Sequence, residues 1–541
     1  MTQPSPNREP SLLDATCEAY VYDVAALSPT DATAWGIAGH EGELQDFSPA
    51  YWDGLAELDR DLLADVDAFD DATDDNDDED DFDHVDNVTA AVLRDRLCLQ
   101  LDLHHRAERY AQLDNIASPV QTIRDTFSLM SDPDAIRSRL AKVPAALHGY
   151  RESLALAAGQ GRVAALRQID LLVTECNNLA AASSFLDTLG APEAEVVVAK
   201  EAFSTMADWL SEHLASYAPS NDAVGRERYE LFSHEFVGAA VDLDEAYEWG
   251  LHRLQEISEQ QRQLAAELYG PGTSVAEAAS RLNKEPDYTI EGVDELQQWM
   301  QTVADNVIDT LDMEIPEQLR TIQCCIDKAG TGGIFYTPPA ADFSRPGQMW
   351  WSVVPGETTF HKWQELTTVF HEGVPGHHLQ IGSALLAPLN LWRRVVCWNS
   401  GHGEGWALYA EQLMEDLGYH ANPGTRMGLL DASRLRAARV VLDIGVHLGK
   451  KVPEGTSCWD ASYARNFLRE NSVMSPGALE FEINRYLGWP GQAPSYALGQ
   501  RLWEQLRDDA TASGMSLSDF HTKALAHGSI PMGILRQELL G

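Results

Sequence analysis

The sequence predicts a mainly α-helical protein with one small β-sheet. The helical prediction depends on long stretches in which apolar residues recur every three or four positions, with Gly, Pro, Asn or Asp near their ends. The clearest of these stretches are residues 88–113, 191–217, 242–269 and 425–450. The predicted sheet consists of residues 332–339 and 348–355, two short aromatic and β-branched segments on either side of the turn-forming residues 342–347.

The first predicted unit, residues 1–90, is a helical segment that carries an acidic loop at residues 65–86. In this loop 13 of 22 residues are Asp or Glu. Because such a run of like charges repels itself, we expect it to be solvated rather than packed. Residues 91–541 form a helical body, and we expect the two parts to build one integrated fold.

Composition restricts the choice of partners and compartment. The 541-residue chain has 39 Lys and Arg against 84 Asp and Glu, which gives a formal net charge of −45. Nucleic acids and anionic membranes are bound mainly through Lys and Arg, so neither is an expected partner. The seven Cys are scattered without a CxxC pair, which argues against a disulfide framework and a thiolate zinc site. No secretory signal and no apolar run of about 18 residues is visible, so we expect a cytoplasmic protein.

The chemically richest helix follows the predicted sheet and begins near Thr358 or Thr359, either of which could cap it. Its apolar face points to the core, which leaves His371 and Glu372 on the opposite side, toward solvent or a cleft. A His-Glu pair opens the zinc-hydrolase signature H-E-x-x-H, in which two His one turn apart hold the metal and the Glu is a general base. The sequence therefore indicates a metal site that begins with His371.

The second metal-ligating His does not follow at the usual spacing. Position 375 is Pro, which cannot continue the helix, and Gly376 loosens the chain further. The helix must therefore kink or bulge near Val374, and that break could bring either His377 or His378 back to the ion. The spacing alone leaves both histidines open.

The third ligand is expected on the next helix, in the segment Gly-His-Gly-Glu-Gly-Trp at residues 401–406. In helical zinc peptidases a Glu on a following helix completes a His/His/Glu set and leaves the fourth position for water. Glu404 is that residue here. On a helical wheel it lies opposite the apolar stripe, together with Glu411 and Glu415, so an ordinary solvated face explains its position equally well. A polar cleft between two helices would satisfy both interpretations.

The segments HEGVPGHHLQ and GEGWALYAE together resemble the DUF885 family of bacterial proteins. The resemblance extends to residues 342–347, 485–496 and 520–531 and covers roughly residues 90–541. This family is similar to the helical gluzincin zinc metallopeptidases, the group of thimet oligopeptidase and thermostable carboxypeptidase. The similarity implies a two-lobed helical body with the site in a deep channel beside the small sheet. It also implies that His377 is the second ligand, with His378 in reserve.

Together, the motifs and the resemblance predict a zinc-dependent hydrolase of amide or peptide bonds that acts on short peptides. Glu372 would be the general base, taking a proton from water and handing it to the leaving amine. Tyr496 is the first candidate to donate a hydrogen bond to the tetrahedral oxyanion, with Tyr486 and His402 as alternatives. Arg485 could clamp a substrate carboxylate, and the strand at 349–354 could pair with an extended substrate. The expected Zn²⁺ ligands are His371, His377 and Glu404.

Two other functions fit the same residues. A non-catalytic protein could use the metal for stability and bind peptides without cleaving them, although binding alone does not require a base beside His371. An amidohydrolase of N-acylated amino acids would use the same chemistry on a smaller substrate. A substrate screen separates this activity from that of a peptidase.

Overall fold

The computed structural model describes residues 8–73, 83–327, 333–340, 342–354 and 356–541. The architecture is mainly helical with two small sheets, which confirms the predicted fold class. The α-helices are α1 Leu12–Leu27, α2 Pro29–Trp35, α3 Pro49–Thr73, α4 His84–His105, α5 Pro119–Thr126, α6 Pro133–Leu140, α7 Val143–Gly159, α8 Leu166–Ala180, α9 Glu193–Glu212, α10 Arg226–Val237, α11 Leu243–Tyr269, α12 Val275–Leu282, α13 Val293–Thr310, α14 Lys362–Glu372, α15 His377–Leu386, α16 Ser400–Asp416, α17 Pro423–His447, α18 Ala461–Glu470, α19 Pro476–Gly488, α20 Ser495–Ala512, α21 Leu517–Ala526 and α22 Met532–Leu540. Short 3₁₀ turns lie at Phe127–Leu129, Phe185–Thr188, Leu214–Tyr217, Pro286–Tyr288 and Glu317–Leu319, and a π-helical turn lies at Trp392–Val396. The strands are β1 Thr289–Glu291, β2 Ile322–Asp327, β3 Ile334–Thr337, β4 Gly347–Ser352 and β5 Thr359–His361.

The three-stranded sheet has the order β2-β4-β3, with β4 parallel to β2 and antiparallel to β3. β3 lies within the first predicted strand segment, whereas β4 begins one residue before the second, at Gly347, and the outer ends of the two segments at residues 332 and 355 fall outside the described residues. β2 has no counterpart among the predicted strand segments. Because β4 is the central strand, both of its backbone edges are occupied, and the expectation that it pairs with a substrate is wrong.

The second sheet pairs β1 with β5 in antiparallel register, with Ile290 opposite Phe360. This pairing corrects the predicted start of the metal-site helix. Residues 359–361 form β5, so α14 begins at Lys362 and neither Thr358 nor Thr359 caps it. Pairing with β1, which lies about 70 residues earlier in the chain, outweighs the local preference of Thr358 and Thr359 for a helix N-terminus.

The acidic segment is helical at both of its ends. α3 continues to Thr73, and Leu62 and Val66 pack one of its faces into the core. Asp83 caps α4, and its side chain accepts a hydrogen bond from the Asp86 amide. The predicted loop at 65–86 is therefore wrong at both ends, because apolar spacing and helix capping favour helices there. Residues 74–82 of that prediction lie outside the described residues.

The N-terminal helices share a core with the C-terminal half of the chain. Leu13 belongs to the same apolar cluster as Trp406 and Leu535. The buried Arg393 donates a hydrogen bond to Thr89 Oγ1 at 2.9 Å, which adds a polar link between α4 and the segment before α16. The boundary predicted at residue 90 falls inside α4, so one continuous helix and one apolar core join the two predicted parts.

The residues of the predicted site lie on five helices, α14, α15, α16, α19 and α20. α16 and α20 approach so closely that a Cβ on Gly405 would lie 2.5 Å from the carbonyl carbon of Gly499. Trp406 on α16 donates its Nε1 hydrogen to the Pro375 carbonyl at 2.8 Å, which ties α16 to the end of α14. α17 packs against both α11 and α14. Within the described ranges, no helix combines the length and the apolar character that crossing a lipid bilayer requires.

Candidate metal centre

The chain breaks its helix between His371 and His377. α14 ends at Glu372, and α15 begins at His377. The chain turns back so tightly in between that a Cβ on Gly376 would lie 1.9 Å from the carbonyl oxygen of His371. Only glycine permits this close approach, and the return of the chain places the two imidazoles side by side.

Three polar side chains converge at this break. His371 Nε2 lies 3.4 Å from Glu404 Oε2, and His377 Nε2 lies 3.7 Å from the same oxygen. The ligand atoms of all three residues lie within 4.8 Å of one another. The imidazole rings are perpendicular, with centroids 4.9 Å apart, and both are buried, whereas Glu404 keeps partial contact with solvent. The three residues therefore form one compact group of nitrogen and oxygen ligands with an opening on one side.

His378 points away from this group. Its Nε2 donates a hydrogen bond to the Leu319 carbonyl at 2.9 Å, so its Nδ1 is the nitrogen that accepts from the Tyr336 hydroxyl at 2.8 Å. Burial lowers the pKa of His378 to about 4, so the ring is neutral at pH 7. Of the two histidines that the spacing leaves open, the structure brings His377 to the cluster and binds His378 to β3.

The cluster concentrates charge in a buried place. Burial favours a lower pKa for His371, but hydrogen bonds to Glu404 and Glu411 outweigh burial and raise that pKa to about 10. Burial also acts to raise the pKa of Glu404, but the hydrogen bonds from both histidines outweigh it, so the pKa is lowered. Burial raises the pKa of Glu372, whose carboxylate has no hydrogen-bond partner in the part of the chain that the structure describes. The two histidines and Glu404 thus attract one another as opposite charges, and a divalent cation would replace the protons on the histidine nitrogens that face Glu404.

Tyr496, the first candidate donor to an oxyanion, lies close enough to Glu404 for that carboxylate to affect its pKa. Burial raises its pKa, and the charge of Glu404 adds to this effect. The guanidinium of Arg439 lies over the Tyr496 ring, 5.1 Å from its centroid. The hydroxyl therefore stays protonated at neutral pH and is available as a hydrogen-bond donor.

The other predicted residues of the site are engaged elsewhere. Arg485 donates to the Glu482 carboxylate at 2.7 Å, so it is already paired within the protein. Tyr486 donates its hydroxyl hydrogen to the same carboxylate. His402 is fully buried, and burial lowers its pKa to about 3. This arrangement favours Tyr496 over Tyr486 and His402 as the donor.

The chain matches one protein family over nearly its whole length. The family described as "Bacterial protein of unknown function (DUF885)" matches residues 29–539. The chain belongs to the DUF885 family. No curated protein sequence matches this DUF885 protein.

Solved structures show the same fold. This DUF885 protein is similar to a protein from Colwellia psychrerythraea described as a candidate lipoprotein, with a TM-score of 0.77 and 21% identity over 98% of this chain and 99% of that chain. It is also similar to a candidate lipoprotein of unknown function from Shewanella oneidensis, with a TM-score of 0.72 and 17% identity over 98% of this chain and 100% of that chain. At these identities the two structures show the shared fold alone.

In this DUF885 protein His371 and His377 each form a hydrogen bond with a residue outside the predicted ligand set. Glu411 accepts a hydrogen bond from His371 Nδ1 at 2.8 Å. Gln380 accepts one from His377 Nδ1 at 3.2 Å. Each bond keeps a proton on Nδ1, so Nε2 is the nitrogen that faces the cluster and would give up its proton to bind a metal. The wheel position of Glu411, on the same face of α16 as the cluster, is the signal that could have identified it.

The residues fit a zinc ion. Tetrahedral zinc holds His nitrogen and carboxylate oxygen at about 2.0–2.2 Å, so neighbouring ligand atoms lie roughly 3.3–3.6 Å apart. The two Nε2–Oε2 separations of 3.4 and 3.7 Å are close to this spacing. Two His and one Glu are also the ligand set of one well-known class of catalytic zinc site, in which the fourth position stays open.

Proposed function

We propose that this protein is a zinc-dependent hydrolase of amide or peptide bonds that acts on short peptides, with the metal held by His371, His377 and Glu404. The proposal depends above all on Glu372, a buried carboxylate beside the ligand set that no other side chain in the described ranges engages. A metal site that only stabilises a fold has no need of such a base. The same combination of His-Glu on one helix and Glu on a later helix underlies the resemblance to helical gluzincin metallopeptidases.

In the proposed hydrolysis, Glu372 transfers protons and Tyr496 stabilises the oxyanion. When bound, zinc supplies Lewis acidity and lowers the pKa of water to near neutrality. Glu372 takes the proton of the attacking water at its carboxylate and delivers it to the leaving nitrogen. Burial raises the pKa of Glu372 above the ordinary value of a glutamate, in the direction that favours a group that must accept a proton. Tyr496 donates its hydroxyl hydrogen to the oxyanion that forms.

Arg439 and Arg485 are bonded within the protein, so they would act on a substrate by attraction as a pair rather than by the direct clamp expected of Arg485. Arg439 and Arg485 both bond to Glu482, at 2.9 and 2.7 Å, so two guanidinium groups share one carboxylate. Arg439, Arg485 and Glu482 together carry one net positive charge. That charge favours a substrate carboxylate close to Tyr496.

The test measures zinc content and the hydrolysis of short peptides and N-acylated amino acids by the parent protein and by Glu372→Gln. We expect the variant to keep its zinc and to lose at least about 100-fold in kcat, because general-base catalysis contributes roughly 10²–10⁴-fold. Glu415→Gln is the control, since it makes the same chemical change at a carboxylate of α16 that pairs with Arg426 at 2.8 Å. It should keep both zinc and turnover.

Each alternative has its own signature in this experiment. Unchanged turnover in Glu372→Gln would refute the assignment of the base. Zinc binding by a parent protein that cleaves no substrate would favour the peptide-binding function. Cleavage confined to N-acylated amino acids would favour the amidohydrolase.

A further inference from the structure

A second cavity lies apart from the metal ligands. It has a volume of about 490 Å³ and is lined by parts of α2, α3, α4, α5, α8 and α10 and by the end of α19. This volume lies in the range of sites for small ligands, roughly 300–1,000 Å³. None of the side chains of the metal cluster lines it. It is therefore a separate binding space.

The wall of this cavity is acidic. Five of its lining residues are Asp or Glu and two are Arg. Both arginines are paired, Arg228 with Glu108 at 2.7 Å and Arg109 with Asp59 at 2.9 Å. Asp222 pairs with Arg167 at 3.1 Å. The lining carboxylates that form no ion pair in the described part of the chain are Asp31, Asp114 and Glu235.

These three carboxylates are bonded to neutral groups only. Asp31 accepts from Ser28 Oγ at 2.7 Å, Glu235 accepts from Gln100 Nε2 at 3.3 Å, and Asp114 accepts from two backbone amides at 2.7 and 2.6 Å. Burial raises the pKa of all three carboxyl groups. Asp114 is buried, and Asp31 and Glu235 are half-buried. A carboxylate partly removed from water and without a cation is costly, so a cation that enters the cavity gains more here than at the surface.

Aromatic rings complete the wall. Phe47, Tyr51 and Trp52 line the cavity, and their rings contact one another, with centroids 5.6 Å apart for Phe47 and Tyr51 and 4.7 Å apart for Tyr51 and Trp52. Aromatic faces attract ammonium and guanidinium groups through the ring quadrupole. We propose that this cavity binds an organic cation, the side chain of a Lys or Arg residue in the peptide that the metal centre cleaves.

The wall of the cavity is continuous with two of the helices that carry residues of the proposed site, α16 and α19. Glu235 on its wall offers its carbonyl to Asn399 Nδ2 at 3.4 Å, and Asn399 caps α16, the helix that carries Glu404. Trp489, also on the wall, follows four residues after Arg485 at the end of α19. The assignment of the cation to a peptide rests on the proposed function, whereas the preference of the cavity for a cation does not.

The first experiment measures binding without cleavage. Calorimetry with Glu372→Gln compares three peptides of identical sequence in which one position is Lys, norleucine or Glu. Norleucine keeps the length of the Lys side chain but removes its charge. At 0.15 M salt, where fields from distant charges are screened beyond about 8 Å, we expect the Lys peptide to bind at least about tenfold more tightly than the norleucine peptide. Equal binding would overturn the proposal without any cavity variant.

The second experiment tests whether the cavity carboxylates cause the preference for the Lys peptide. Glu235→Gln and Asp31→Asn, each combined with Glu372→Gln, should reduce the Lys-to-norleucine ratio at least about threefold. Glu230→Gln is the matched control, because Glu230 is exposed on the same helix as Glu235 and its replacement removes the same charge from the protein. A ratio that survives both cavity variants, or that falls equally in the control, would overturn the proposal.

A third arm separates the peptide from a free amine. The probe is 1,5-diaminopentane, which carries the same ammonium group without a peptide. Competition between this amine and the Lys peptide supports a shared cavity. Binding of the amine alone, with no Lys preference among the peptides, would overturn the assignment to a substrate. A parent protein that cleaves nothing but keeps the Lys preference would remove the proposed hydrolase and leave the cation site standing.

Discussion

Two regions of the molecule bring two histidines and a glutamate equally close together, yet their surroundings differ. The first consists of His371, His377 and Glu404 at the break between α14 and α15. The second lies where α4, α21 and α22 meet, and it consists of His84, His527 and Glu538. In both groups the ligand atoms lie within 4.8 Å of one another. The His84 side chain, however, is 73% exposed, whereas that of His371 is 7% exposed.

The two groups also differ in what holds the imidazoles. In the cluster, Glu411 and Gln380 fix the Nδ1 proton of each histidine. In the second group no side chain in the described ranges fixes the remaining nitrogen of His84 or His527. Proximity of the right ligand types is therefore not the only criterion. Burial and hydrogen bonds to Nδ1 distinguish the proposed metal site from the exposed group of the same residue types.

The largest difference should appear when the glutamate of each group is removed. Glu404→Ala should weaken zinc binding by more than about 100-fold, beyond the 10–100-fold typical of losing an outer hydrogen-bond partner. Glu538→Ala should leave the tightly bound zinc unchanged. Competition with a chromophoric chelator measures both. Equal losses in the two variants would erase the distinction between the groups.

The next effect concerns the backbone that brings the histidines together. Gly376→Ala places a Cβ against the His371 carbonyl, so we expect it to lower the free energy of unfolding by about 1–3 kcal/mol. Gly477→Ala is the control, because a Cβ there meets no atom within 4 Å. Denaturant titration measures both variants. If Gly376→Ala proved as stable as the control, the break would not depend on glycine.

A smaller effect is expected from the residue that orients His371. Glu411→Gln keeps the shape of the side chain but removes the charge that supports the Nδ1 proton. We expect zinc affinity to fall by about tenfold, the lower end of the range for such partners. The chelator competition measures this loss, and thermal unfolding of the variant serves as its folding control. Unaltered affinity would show that Glu411 does not act through the metal ligand.

The smallest effect should come from the second group itself. His84→Ala removes an exposed side chain, so the free energy of unfolding should change by no more than about 0.5 kcal/mol. Bound zinc, measured by elemental analysis, should stay at the parent level. A clear loss of zinc would show that the surface group holds an ion after all.

Much of the fold class follows from local pattern, but the site depends on contacts across the chain. The Pro-Gly pair at residues 375–376 predicts the helix break, since it acts on its own neighbours. The choice between His377 and His378 does not follow, because the two are adjacent and the carbonyl of Leu319 and the hydroxyl of Tyr336 decide it.

Contacts between distant segments also determine the start of α14 and the acidic cavity, neither of which any local motif predicts. β5 replaces the predicted helical turn at residues 359–361 because β1 pairs with it. The acidic cavity gathers residues from seven helices, so no single segment of sequence displays its excess of carboxylates. Local patterns thus identify single elements, and only the packing of distant segments identifies these sites.

The most direct test of the central claim is an anomalous difference map, recorded on both sides of the zinc absorption edge, from crystals of the zinc-loaded protein. The account predicts a strong peak within bonding distance of His371 Nε2, His377 Nε2 and a Glu404 oxygen, and a weaker peak or none beside His84. A map with its strongest peak at His84, or with no peak between the two buried histidines, would contradict it.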